Sequence, residues 1–166
     1  MRPVIDQNLP RHDQKTLQAR CGRAARQPWR VHFFRRHPVD DPAQAVPARA
    51  FLDASPLKVN ATIIAVVRAV ADAPPPAFSG GGRWEAMHGK MSGIYEVRVD
   101  GPNRHHYRLF CVLERDGAQL GLGGPSLVLI AGKDKPFQTK IGEREYDEAL
   151  ALVAEFKSRK PRSILT

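Results

Sequence analysis

The sequence predicts an α+β fold, an antiparallel four- to five-stranded sheet with helices packed against it, and three observations carry that expectation. From Trp84 to Lys140, apolar and polar residues alternate in successive short runs, the period-two pattern of half-buried strands. Leu57 to Asp72, and the stretch after Gly142, instead repeat apolar residues three and four apart, the period of a helix lying on a core. Asp100-Gly101, between two alternating runs, is a hairpin turn signal, because glycine accepts positive φ without a Cβ clash.

Composition bounds the answer further. The 166 residues suffice for one compact domain, and 42% hydrophobic residues support a folded one, while 14 prolines and 13 glycines imply substantial loop. A formal net charge of +9 favours encounter with polyanions, so RNA or DNA is the first partner class to weigh against a solvated basic surface. Cys21 and Cys111 stand in different contexts, a polar arm and an apolar strand, and read as two reduced thiols that match no zinc pattern. No apolar run is long enough to span a bilayer and the N-terminus shows no signal-peptide core, so the expected location is cytoplasmic, with no membrane partner.

In chain order, residues 1–28 lack a hydrophobic period and carry Arg2, Arg11, Lys15, Arg20, Arg23 and Arg26 against Asp6 and Asp13, which reads as a disordered basic arm. Residues 29–166 form the folded domain. Trp29 to Phe34 alternates as a first strand, and Arg35-Arg36-His37 ends it in a basic loop. A short helix over Ala48–Ala54 follows, and Ser55-Pro56 offers a capping hydroxyl and a helix-starting proline. The helix from Leu57 presents Val59, Ile63, Val66 and Val70 on one line, with Ile64, Val67 and Ala71 beside it, and Pro74-Pro75-Pro76 stops it. Ser79-Gly80-Gly81-Gly82 is a connector, since no helix N-terminus follows to make it a phosphate cradle.

The meander comes next. Trp84 to Lys90 approaches or begins the second strand, Ile94–Asp100 and Arg104–Arg115 continue the meander, and Ser126–Ala131 closes it, after a loop over Gly117–Pro125. Alternation puts Ile94, Glu96 and Arg98 on one face and Tyr95, Val97 and Val99 on the other. Likewise Arg108 shares a face with Phe110 and Val112, opposite Tyr107, Leu109 and Cys111. Leu127-Val128-Leu129-Ile130 lacks alternation and is expected to be buried on both faces. The last helix carries Tyr146, Ala149, Leu150, Val153 and Phe156 as its stripe, with acids at its start and bases at its end, and Pro161 terminates it. His105 and His106 flank the hairpin and read as exposed.

Gly93 to Arg98 (Gly-x-Tyr-Glu-x-Arg), Tyr107 to Phe110 (Tyr-Arg-Leu-Phe) and a Lys-x-Lys-Pro turn at Lys133 to Pro136 follow one another, with Trp84 to Gly89 just upstream. Together with the element order, this chain over about Trp29 to Ser163 resembles the RelE/HigB toxin superfamily, nearest its phage-derived HigB-like branch. The resemblance implies a type II toxin that cleaves mRNA on the ribosome, needs no metal or other cofactor, and is silenced by a helix-turn-helix antitoxin. By position, Arg108 matches the family's central phosphate-contacting arginine and Arg98 a site often Lys or Arg. His88 and Lys90 match a His and a Lys before the hairpin, and Lys133 and Lys135 a basic pair after the last strand, here interrupted by Asp134. The candidate catalytic residues are therefore Arg98, Arg108, His88 and Lys135, with Lys90, Lys133, Lys140 and Arg104 binding RNA. No tyrosine matches the catalytic one of RelE, since Tyr146 falls on the helix stripe, and the acid and base stay unassigned.

The chemistry can be stated without the family. A ribose 2′-hydroxyl attacking its own phosphodiester needs a proton acceptor, donors for a dianionic phosphorane, and a proton for the 5′-oxygen. Forked guanidinium donors on Arg98 and Arg108 suit the phosphorane, and the His88 imidazole suits either proton task. A plain structural role, a cross-strand salt bridge from Arg98 to Glu96 or another acid, is the competing reading. Two other functions stay open: a ParE-like gyrase poison, and a nucleic-acid-binding module without turnover.

Overall fold

A computed structural model describes residues 27–73 and 82–166. The expected arm over residues 1–28 lies outside the described residues except for its last two, as do Cys21, Pro74-Pro75-Pro76 and the connector up to Gly81. Among the described residues, six strands and three α-helices follow in order: β1 (Arg30–Phe34), α1 (Pro47–Ala54), α2 (Leu57–Asp72), β2 (Trp84–Ala86), β3 (Ile94–Gly101), β4 (His105–Glu114), β5 (Ser126–Pro136), α3 (Glu143–Ser158) and β6 (Ile164–Leu165). The class is α+β, as expected, but the sheet is a six-stranded mixed one in the order β2-β3-β4-β5-β1-β6.

That order corrects the expected four- to five-stranded antiparallel sheet. β2 to β5 form the antiparallel meander, but β1 runs parallel to β5, from Arg30 opposite Ser126 to Phe33 opposite Leu129. Alternation in a sequence marks a strand without stating the direction of its neighbour. Here the chain leaves β1 for two helices before the meander begins, and β1 docks beside the last meander strand. β6 pairs antiparallel with β1 through Phe33–Leu165 and Phe34–Ile164, a segment too short to carry a period.

Two apolar layers flank the sheet. On one side Leu52 of α1 and Val59, Ile63, Val67 and Val70 of α2 pack on Val97, Val99, Leu109, Cys111, Leu127 and Leu129. On the other, Ala149, Val153 and Phe156 of α3 pack on Phe34, Ile94, Phe110, Val112, Val128 and Ile130. Each fully buried aliphatic or aromatic side chain contributes about 1.5–3 kcal/mol over an exposed one, so these layers fix the helices on the two sides of the sheet. Leu127 to Ile130 are buried on both faces, and burial pushes the Cys111 thiol pKa up. No helix among the described residues is long and apolar enough to cross a membrane.

Three local expectations change. The hairpin does not turn at Asp100-Gly101: those residues pair with His106 and His105, and the reversal is made by Pro102-Asn103-Arg104, with φ of 58° at Asn103 and 55° at Arg104. Gly101 is needed for space instead, because a Cβ there would stand 2.4 Å from the Tyr107 ring. Lys133 to Pro136 is not a turn after the last strand but the end of β5, which runs on because β4 starts early enough to pair His105 with Pro136. A bulge between Phe110 and Cys111 re-sets that register, pairing Phe110 with Ala131 but Cys111 with Leu129. Ser55 does not cap α2: its hydroxyl donates to the Phe51 carbonyl at 2.8 Å, closing α1, and Pro56 takes the cap position.

Candidate nucleic-acid interface

Cross-strand register builds the site. Arg98 of β3 lies directly opposite Arg108 of β4, and Arg108 directly opposite Lys133 of β5, so three cations stand in one row across the sheet. Direct partners share a face, and this is the face that farther along carries Glu96, Phe110 and Ala131. Toward the open end, the next row on that face is Asp100, His106 and Lys135. Asp134 points to the opposite face, where it meets His105 at 3.1 Å, so strand alternation places Lys133 and Lys135 on one face with nothing between them.

Glu96 is the anchor of the row. It is 1% exposed, and a buried carboxylate is tolerated only when its lone pairs are met. Arg108 Nη1 donates to both of its oxygens, at 2.9 and 3.0 Å, and Arg98 Nε donates to Oε1 as well. Arg98 Nη1 also reaches Glu85 of β2 at 2.6 Å. One carboxylate thus holds two guanidinium groups side by side, overcoming a repulsion that would otherwise splay them. The salt bridge weighed for Arg98 is present, and Arg108 joins it.

The lysines are held by the helix beyond the sheet. Lys133 Nζ lies 3.5 Å from Glu148, and Lys135 Nζ lies 2.8 Å from Glu145 and donates to the Lys140 carbonyl at 3.0 Å. The Lys135 hydrogen bond keeps the Glu145 carboxyl below its ordinary range. Lys140 itself is exposed in the loop before α3. Arg104 sits at the hairpin tip, its guanidinium 6.0 Å from the Phe137 ring centre.

His88 and Lys90 are not brought to this row. They lie in the turn between β2 and β3, next to Ile94, four residues or about 13 Å along β3 from Arg98. His88 is exposed. Lys90 donates to Asp147 at 2.8 Å, a bond that raises the ammonium pKa, so it acts as a fixed charge and not as a base.

A cleft of about 790 Å³ opens at the free edge of β3, where no described strand pairs beyond Arg98. Arg98, Arg108 and His106 line it together with Lys58 of α2, Arg83 and Asp100. Cations dominate that wall, and the volume admits a nucleotide-sized group. Sequence reasoning missed Glu96 as the organiser and Lys58, Arg83 and His106 as wall residues. A signal existed for Lys58: a cation in the first turn of a helix opposes the helix dipole, and the first turn of α2 has no acid.

Comparisons with protein-family models, with curated proteins and with solved structures gave no match in any of the three.

Proposed function

We propose that this chain is a type II toxin that cleaves mRNA on the ribosome by attack of a ribose 2′-hydroxyl on the adjacent phosphodiester. The observation that carries the reading is the pair Arg98 and Arg108, opposed across β3 and β4 and tied by the buried Glu96 beside a cationic cleft. Two guanidinium groups in fixed relation supply forked donors to the non-bridging oxygens of one phosphate, where charge builds in the phosphorane. Lys133 extends the row toward the flanking backbone, and Arg104 and Lys140 are exposed at the same end of the sheet. The cleft-side location of the clamp suits RNA drawn over a sheet face, and a helix-turn-helix antitoxin that covers this face with acidic residues would silence it.

One observation favours the reading without turnover. Both arginines already spend donors on carboxylates, Arg98 on Glu96 and Glu85 and Arg108 on Glu96, which is what a purely structural network also does. Incubation with translating ribosomes and mRNA separates the possibilities. New mRNA ends that carry a 2′,3′-cyclic or 3′-phosphate, unaffected by chelators, are expected. Gyrase-linked DNA breaks without mRNA cleavage point to the ParE-like alternative, and RNA retention without new ends to a binding module.

A further inference from the structure

His106 stands where the proton chemistry is needed. Its Nδ1 lies 2.6 Å from Asp100 Oδ1, its direct partner across the hairpin. The ring stacks on Phe137, centroids 4.1 Å apart and planes 20° from parallel, and the Phe137 backbone N–H donates to the Arg104 carbonyl at 2.6 Å, pinning that aromatic to the hairpin tip. A carboxylate and an aromatic face therefore fix an imidazole that is still half-exposed and lines the cleft. The Asp100–His106 pair lies one same-face step from the Arg98–Arg108 pair, about 7 Å along the strands. That step is the scale separating a phosphate from a group acting on its neighbouring ribose oxygen.

We propose that His106 is a catalytic residue of the RNA cleavage inferred above, the general base that removes the 2′-hydroxyl proton, with Asp100 as its positioning residue. The assignment rests on that reading of the site. With Asp100 accepting from Nδ1–H, the neutral ring presents a bare Nε2, the acceptor that a base needs. Nε2 takes the 2′-hydroxyl proton as the 2′-oxygen bonds to phosphorus and the bond from phosphorus to the 5′-oxygen breaks. Water protonates the departing 5′-oxygen, and the imidazolium returns its proton to the hydroxide so formed, leaving a 2′,3′-cyclic phosphate and a 5′-hydroxyl with no net proton change. Arg98 and Arg108 hold the non-bridging oxygens throughout.

The charged groups facing this ring are Asp100 from β3, Lys135 from β5, whose ammonium is tied to Glu145 of α3, Arg108 on its own strand and Arg104 at the turn. The test is a single-turnover pH–rate profile on ribosome-bound mRNA. His106→Gln is expected to slow cleavage by about one hundred-fold or more and to erase the acid limb of the profile, with RNA affinity retained. Added imidazole should restore part of the rate of His106→Ala, an outcome a misfolded variant cannot give. Asp100→Asn, which loses the acceptor for Nδ1–H, should slow cleavage less than His106→Gln, and His105→Gln, on the opposite face with Asp134, should retain the wild-type rate and limb. A wild-type rate and limb in His106→Gln, or loss of the limb in His88→Gln instead, would overturn the assignment while Arg98→Ala and Arg108→Ala still slow cleavage about one hundred-fold or more. Absence of cleavage by the wild type would overturn the toxin reading, and this assignment with it.

Discussion

The two faces of the β3–β4 ladder share a backbone and differ in what they ask of it. Toward α1 and α2 the ladder presents Val97, Val99, Tyr107, Leu109 and Cys111, all buried, an ordinary sheet core. Toward α3 it begins in the same way, with Ile94 opposite Val112, and then turns to Glu96, Arg98, Arg108, Asp100 and His106. Folding alone does not require that change, since the first face shows that the same strands accept an apolar surface along most of their length. The charged face puts a carboxylate at 1% exposure and keeps two cations beside it, an arrangement that costs desolvation and is stable only while complete. The phosphate clamp proposed above would account for that conflict between local stability and sequence.

The most severe way to break the contrast is at its anchor. Glu96→Ala leaves two guanidinium groups facing one another without their shared carboxylate, and the expected loss is about 3–5 kcal/mol by denaturant unfolding. Glu96→Leu combined with Arg108→Met should recover most of it, because an apolar pair suits the site once no charge is stranded. A double variant no more stable than Glu96→Ala would mean that the network is not what the carboxylate contributes. The apolar face should answer to volume instead of charge. Gly132, opposite Leu109, would place a new Cβ 2.0 Å from the Phe51 ring, so Gly132→Ala should lower stability by about 1–3 kcal/mol with little salt dependence.

The helices and the division of β3 and β4 into two faces were legible in the sequence, because both are set by local period: three and four in α2 and α3, two in the strands. What was not legible is register. A two-residue turn at Asp100-Gly101 would pair Val99 with Pro102, whereas the three-residue reversal at Pro102–Arg104 brings Arg98 opposite Arg108 and Asp100 opposite His106. Alternation also placed Glu96 on the face of Ile94 and Arg98, but only the register shows that the second guanidinium comes from the next strand. The same limit hid the reach of β5: the three charged residues Lys133-Asp134-Lys135 before Pro136 resemble a turn until β4 is there to pair with them. His88, placed by its neighbours in sequence, lies at the far end of β3 from the row it was expected to join.

Smaller effects sharpen the contrast. His32, on the α3 side of β1, is 3% exposed and bonds the Leu122 carbonyl at 3.2 Å. Burial is the first cause that lowers its pKa from 6.5, with nearby Arg30 adding to it and the Leu122 bond opposing it. The folded state therefore takes up a proton less readily than the unfolded chain. Stability is full above the unfolded value and falls as pH drops below 6.5, and melts across that range should lose part of this slope in His32→Gln. The least effect is expected at Cys111, fully buried with its thiol pKa raised, which should resist thiol reagents in native buffer and react once the chain is unfolded.

Whether the Glu96-bound arginine pair grips a phosphate in the act of cleavage is decided by single-turnover cleavage by Arg98→Ala, Arg108→Ala and their double variant. Each single variant leaves the buried Glu96 with fewer donors and should lose stability, yet at a temperature where its circular dichroism is native it should cleave about one hundred-fold or more slowly, the loss expected for one oriented donor to a developing dianion. The double variant should lose no more than the product of the two, since both donors serve one group. A well-folded double variant that cleaves ribosome-bound mRNA at the wild-type rate would contradict the account.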